Sequence, residues 1–472
     1  MTTPLFGEKL TLAQPDGSSI EVRVWANQEQ AVFKTPEGDP VVLDPATGFY
    51  RPRREPQMKA TAEETFQRAP RSLELTRGTT RWEERLEERK TRRRLATREG
   101  LAVRDLGVVG DFVGLCLLIE FPDAPATIPR EEVEAFCNQR GYRGFGNNGS
   151  VFDYFFEISG GRLRSTNIVA PYYRALHPRS HYADPSVVWP RRAKELIREA
   201  LDHHRANGFD FRRFSVDDQN HVRALNVFYA GDVAGQFRTG LWPHAHELFP
   251  AFELMGGRKL RDYQITNMGN ALTLGTFCHE NGHLICDFPD LYDLDGGSFG
   301  TGAYCLMAFG SSPAATNPAQ VCAYLKRRAG WADRIVELAP GMEVTLAAGR
   351  NEIAIFARNP TEYFLLEHRQ RAGRDQGLPD AGLAIWHVDE EGSNKNQQMT
   401  PELHFECSLE QADGRFHLER EQGIGDADDL FQAGRFGADT VPSSRWWDGT
   451  PSGLEIRVLA ATTGEITFRV EG

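Results

Sequence analysis

The sequence predicts a mixed α/β (α+β) protein: a central α/β domain between an N-terminal β unit and a C-terminal β-sandwich-type domain. Three observations predict it. Residues 340–472 hold short alternating apolar and polar runs separated by turns, the pattern of half-buried strands. Between 106 and 335, apolar strand candidates alternate with helical stretches. And 472 residues exceed one ordinary core, so two or three domains are expected. The boundaries fall at 1–105, 106–339 and 340–472.

Residues 1–50 read as a small β unit, with Ile20 to Trp25 alternating and turns at Pro15-Asp16-Gly17 and Pro36-Glu37-Gly38. Arg81 to Arg98, RWEERLEERKTRRRLATR, is a mixed-charge run of helix formers. Glu88 and Arg92 are spaced to pair, while Arg81, Arg85 and Arg89 stack like charges on one stripe. This predicts a solvated helical linker, open to proteolysis between Arg71 and Arg104. In the main domain, Phe112 to Phe121 is a buried strand candidate, and Pro129 to Gln139 starts with helix-entry chemistry. Asn147 to Ser150 caps the aromatic helix VFDYFFEIS. Arg162 to Ala170 and Val222 to Ala230 read as strands, Arg191 to Arg205 as a helix, and Tyr263 to Met268 as an edge strand. The C-terminal strands are Glu343 to Ala347, Glu352 to Ala357, Tyr363 to Glu367, Leu383 to Val388, Leu454 to Leu459 and Glu465 to Val470.

A net charge of −12 argues against nucleic acid or an anionic membrane as the main partner. Hydrophobic content of 40% with 25% charged residues describes a globular chain, and no apolar run is long enough to span a bilayer. The start lacks the basic-then-apolar pattern of a secretory signal peptide. The cysteines, Cys116, Cys137, Cys278, Cys286, Cys305, Cys322 and Cys407, are too dispersed for a disulfide scaffold.

Chemistry concentrates in Ala271 to Asp295, ALTLGTFCHENGHLICDFPDLYDLD. His279-Glu280-Asn281-Gly282-His283 matches H-E-x-x-H. On a helix, residues four apart share a face at about 6 Å of rise, so both imidazoles can ligate one zinc ion. Glu280 points about 100° away and flanks the metal as a general base toward a water. Asp287, Asp290, Asp293 and Asp295 offer a third ligand or a calcium site. A core helix without metal is the plainer reading, against which the following carboxylates weigh.

Several stretches together resemble the immune-inhibitor-A-type zinc metallopeptidases, secreted bacterial proteins with a propeptide ahead of a metzincin-like catalytic domain. They are QPDGSSIEVRVWANQEQAVFKTPEGDPVVLDPATGFY, GNNGSVFDYFFEISGGRL, ALNVFYAG, HENGHLICDFPDLYD, GAYCLMAFGSS, CAYLKRRAGWA, and EYFLLEHRQ with GLAIWHVD. The resemblance implies zinc ligands His279, His283 and Asp290, the general base Glu280, a methionine turn at Met307, and a propeptide ending near residue 105. It also implies secretion, for which this sequence shows no signal peptide. The chain departs from the family's H-E-x-x-H-x-x-G-x-x-D: Cys286 stands at the glycine and the aspartate arrives one residue late. Asp tolerates the left-handed turn better than Cys, so Asp287 is expected to make it. Pro289 then extends Phe288 and brings back Asp290, with Asp287 and Asp293 as rival third ligands.

The expected function is a zinc-dependent endopeptidase acting on protein or peptide substrates. The alternatives are a non-catalytic β-rich binding protein with a structural metal helix, and a zinc hydrolase of non-peptide substrates. Calcium (Ca2+) is a secondary expectation at Asp217-Asp218 or in Gly425-Asp426-Ala427-Asp428-Asp429. His244 and His246 are read as packing residues.

Overall fold

The computed structural model describes residues 4–26, 30–44, 47–52, 67–68, 80–98, 107–234, 239–294, 297–394 and 399–471. It is mixed α/β, about 21% helix and 33% strand in several sheets. Strand outweighs helix because both flanking regions are built from β structure. Asp295, residues 71–79 and residues 99–104 lie outside the described residues.

The N-terminal sheet runs β1 (Leu5–Ala13), β2 (Ser19–Ala26), β3 (Gln30–Lys34), β4 (Pro40–Leu43) and β5 (Tyr50–Pro52), with β6 (Gln67–Arg68) on β3. Its core of Leu12, Val22, Val24, Phe33 and Tyr50 also takes in Val233 and Trp242 of the main domain. Apolar surface shared in this way seats the sheet against the main domain.

Helix α1 (Arg81–Arg98) corrects the expected solvated linker. Thr80 and Glu83 cap its start reciprocally: the Thr80 amide donates to the Glu83 carboxylate at 2.9 Å and the Glu83 amide donates to the Thr80 hydroxyl oxygen at 3.4 Å, a capping box. Arg81, Trp82, Arg85, Leu86 and Arg93 are buried. The like-charged stripe is not exposed, because distant carboxylates meet it. Arg81 pairs with Asp217 at 2.9 Å, Lys90 with Glu406 at 2.9 Å, and Arg93 with Glu390 at 2.9 Å. The helix therefore bridges the main domain and the C-terminal sheets.

The main domain holds a five-stranded sheet ordered β10-β11-β9-β7-β8. Its strands are β7 (Gly110–Glu120), β8 (Leu163–Arg174), β9 (Leu225–Tyr229), β10 (His244–Glu253) and β11 (Lys259–Asn267), and only β10 runs antiparallel. The two-residue period of β7 sends alternate side chains to opposite faces. Leu115, Leu117 and Ile119 pack among residues of α5 (Arg191–Ala206). Cys116 and Leu118 pack with α2 (Arg130–Asn138), α3 (Val151–Ile158) and α6 (Leu274–Cys286). The one-turn α4 (Arg179–Tyr182) precedes α5. Ser150 caps α3 through a full capping box with Asp153. Tyr263 to Met268 is not an edge strand: β11 lies between β9 and β10, and β10 forms the edge. Five buried residues, His244 to Leu248, start this strand. Two histidines and a glutamate among them hid this buried run in the sequence.

After α7 (Ala323–Arg328), β12 (Arg334–Glu337) already belongs to the C-terminal region, where it pairs with β14 (Glu352–Ala357). Two sheets face each other there. One is β12-β14-β15-β16-β17, with β15 at Glu362–Arg369, β16 at Gly382–Asp389 and β17 at Cys407–Leu409. The other is β13-β20-β19-β18, with β13 at Glu343–Ala347, β18 at Arg435–Phe436, β19 at Glu455–Ala461 and β20 at Glu465–Glu471. Leu346, Phe364, Ile385, Ile466 and Phe468 fill the space between them. The opposite face of the first sheet, through Tyr363, Leu365 and Trp386, joins the core that contains Met307 and Trp331. This sandwich and the main domain share a core.

Candidate metal centre

Helix α6 carries the site in an enclosed setting: every one of its residues except Thr276 is buried. Asp287 ends it in the left-handed region at φ 55°, and the Phe288 amide returns to the Gly282 carbonyl at 3.1 Å. The turn is thus made by Asp287, as expected, and Arg85 holds its carboxylate at 2.8 Å. Beneath the helix, Gly282 leaves no room for a side chain, since a Cβ there would come within 2.7 Å of Met307 Sδ.

His279, His283 and Asp290 converge. The Nε2 atoms of the two histidines lie 3.1 and 3.2 Å from the same Asp290 oxygen, Oδ1. The rings stand at 83° to each other with centroids 4.9 Å apart. Each Nδ1 donates to a backbone carbonyl, His279 to Leu306 at 2.9 Å and His283 to Phe288 at 2.6 Å. A carbonyl can only accept, so both Nδ1 atoms carry protons. That leaves both Nε2 atoms facing the carboxylate, and His283 Nε2 is buried without a hydrogen bond. Asp290 joins the group and Asp287 and Asp293 do not.

These donors fit zinc. Zinc held tetrahedrally at about 2.0–2.1 Å has ligand atoms about 3.3 Å apart, close to the two spacings observed. Without a metal, protons on both Nε2 atoms would bury two imidazolium rings against one carboxylate, at high desolvation cost. A dication between neutral rings and the carboxylate satisfies all three donors, and carbonyl-tied Nδ1 protons are the usual outer support of histidine ligands. Three protein ligands also leave a zinc position open. Burial works to raise the Asp290 carboxyl, but the imidazoles of His283 and His279 hold it well below the usual range. Burial opposes charge on His279, yet Asp290 beside it raises this group.

Glu280, 1% exposed, lines a cavity of about 330 Å³. Phe228, Trp242, Met268 to Thr273, and Glu8 and Leu10 of β1 share that lining. Strand β1 thus forms part of the cavity wall. Phe6 packs edge-on against Phe299 and Phe309 at 5.5 and 6.2 Å. Glu8 accepts from the Ser312 hydroxyl at 3.2 Å, and burial pushes its carboxyl up to about 7.

Other expected residues do different work. Asp217 accepts from Arg81, Arg85 and the amides of Gln219 and His221. Burial would raise this carboxyl, but these partners hold it below its usual value. His244 is buried beside Tyr263, its Nε2 3.0 Å from the hydroxyl. A second potential metal group joins Asp413, His417 and Asp426, so the acidic loop contributes Asp426 but neither Asp428 nor Asp429. Sequence reasoning missed Trp82, which stacks on His283 with centroids 4.5 Å apart at 22°. A tryptophan inside a charged run was the available signal. It also missed Asn226, which bonds Gln264 and Asn281 beneath α6 at 2.6 and 2.9 Å.

No family model matches this chain, and no curated protein matches it either.

Proposed function

We propose that this chain is a zinc-dependent endopeptidase, with His279, His283 and Asp290 as ligands and Glu280 as the proton-transferring group. One observation carries the reading: two carbonyl-tied imidazoles and a carboxylate converge on one point, while the glutamate beside the first imidazole faces a cavity. When bound, zinc supplies Lewis-acid polarisation of a peptide carbonyl and lowers the pKa of water. Glu280 takes the proton of the attacking water and passes it to the departing amine nitrogen. The apolar floor around Met307 and Phe277 excludes bulk water from that exchange. Peptide enters along the cavity now bordered by β1, so the N-terminal sheet acts as a cover that must move or be removed.

Complete burial of the three ligands favours one competing role, a structural metal site. Such a site is closed by four protein ligands, and among the described residues this group has three. Glu280→Gln separates the two roles. Zinc content should stay at the wild-type level while cleavage of an unfolded protein falls by about 10²–10⁴-fold, the span of general acid–base catalysis. Cleavage at the wild-type rate in that variant would remove Glu280 from the chemistry.

A further inference from the structure

Helix α1 lies against the metal centre itself, and its second residue covers the ring of a candidate ligand. We infer that Trp82 is a positioning residue for His283, and that α1 is a working part of the metal centre and not a detachable leader. This rests on the zinc reading above.

The His283 ring makes one hydrogen bond, from Nδ1 to the Phe288 carbonyl just past the end of its helix. A single bond of that kind leaves the ring able to pivot about it, which would swing Nε2 away from Asp290. The indole face of Trp82, 4.5 Å away and nearly parallel, blocks that pivot. His279 stands edge-on at 4.9 Å.

Trp82 is itself held firmly. Asp262 on β11 accepts from the Arg81 and Trp82 amides at 2.7 and 2.8 Å, one through each carboxylate oxygen. Arg85, one turn on, donates to the Leu284 carbonyl at 3.2 Å and to Asp287 at 2.8 Å. The helix that presents the indole is thereby tied to the residue after His283 and to the turn that ends α6. The indole Nε1 is buried with no hydrogen bond, which costs stability. The contribution of Trp82 is therefore its aromatic face, and phenylalanine can supply one without that cost.

The test measures zinc release from the full chain into excess chelator, with the visible spectrum of the cobalt-substituted protein as a second readout. Trp82→Leu, which fills space without a ring face, should speed release by about 10–100-fold, the range for lost outer support of a ligand, and shift the cobalt bands. Trp82→Phe should keep both near wild type. Arg94→Ala, at the far end of α1, should change neither. Asp262→Asn, which loosens the grip on both amides, should speed release several-fold and serves if Trp82→Leu fails to fold. Release unchanged in folded Trp82→Leu, or in Asp262→Asn, would overturn the positioning role. Wild-type protein that takes up no zinc would instead sink the function proposed above.

Discussion

His279, His283 and Asp290 in the main domain, and Asp413, His417 and Asp426 in the C-terminal region, each bring histidine and aspartate donors within 4.8 Å of one another. Their surroundings differ. In the first group both Nδ1 atoms are occupied by carbonyls, and the Nε2 atoms face the acid from full burial. In the second, His417 offers its Nδ1 directly to Asp426 at 2.7 Å, with the side chains 25% and 33% exposed. Among the described residues, no carbonyl orients that ring. The acids behind it are poorly compensated too: burial pushes Asp429 up to about 7, against the pull of the Asp426 amide. One Asp429 oxygen is buried without a hydrogen bond. Matching residue types do not make matching sites. What separates them is whether the partners beyond the donors have already fixed where each lone pair points.

The largest effect that would test this contrast is ligand removal. His283→Ala or Asp290→Ala should abolish tight zinc binding, while His417→Ala should leave it unchanged, read by metal content after dialysis. Zinc lost on removing His417 but kept without His283 would invert the comparison. A smaller effect concerns pH. The folded carboxyl of Asp429 titrates near 7, above its unfolded value near 3.9, so the fold favours the protonated form. That stabilisation is fully present below about pH 4 and is lost as pH rises through about 7. Asp429→Asn, which mimics the neutral acid, should therefore raise stability near pH 8 by roughly 1–3 kcal/mol and flatten the decline between pH 4 and 7. A melting profile with the same slope as wild type would count against the poorly compensated acid. The smallest effect is His417→Gln. A half-open ion pair is worth about 0–1 kcal/mol, so melting should barely move, and a large drop would mean that this ring does more than meet Asp426.

Much of the framework was legible in the sequence. The six C-terminal strand segments were visible as two-residue alternation, and β7 as an unbroken apolar run. The H-E-x-x-H spacing located the helix, and the displaced aspartate with Pro289 anticipated both the turn at Asp287 and the return of Asp290. Strand β10 was hidden because both of its faces are buried over its first half and carry His244, His246 and Glu247, polar letters that break the expected apolar pattern.

The chain's own order of residues determined which side chains could meet within one helix and the turn that follows it, since local backbone geometry sets those spacings. Only the tertiary structure decided what α1 does. A stripe of arginines is a solvated face until Asp217 and Asp287 arrive from more than 130 residues away, and no local pattern encodes that arrival. It also decided that β1 borders the cavity beside Glu280 and that an indole lies on His283. Both are contacts between segments far apart along the chain, and burial of apolar surface made them, not periodicity.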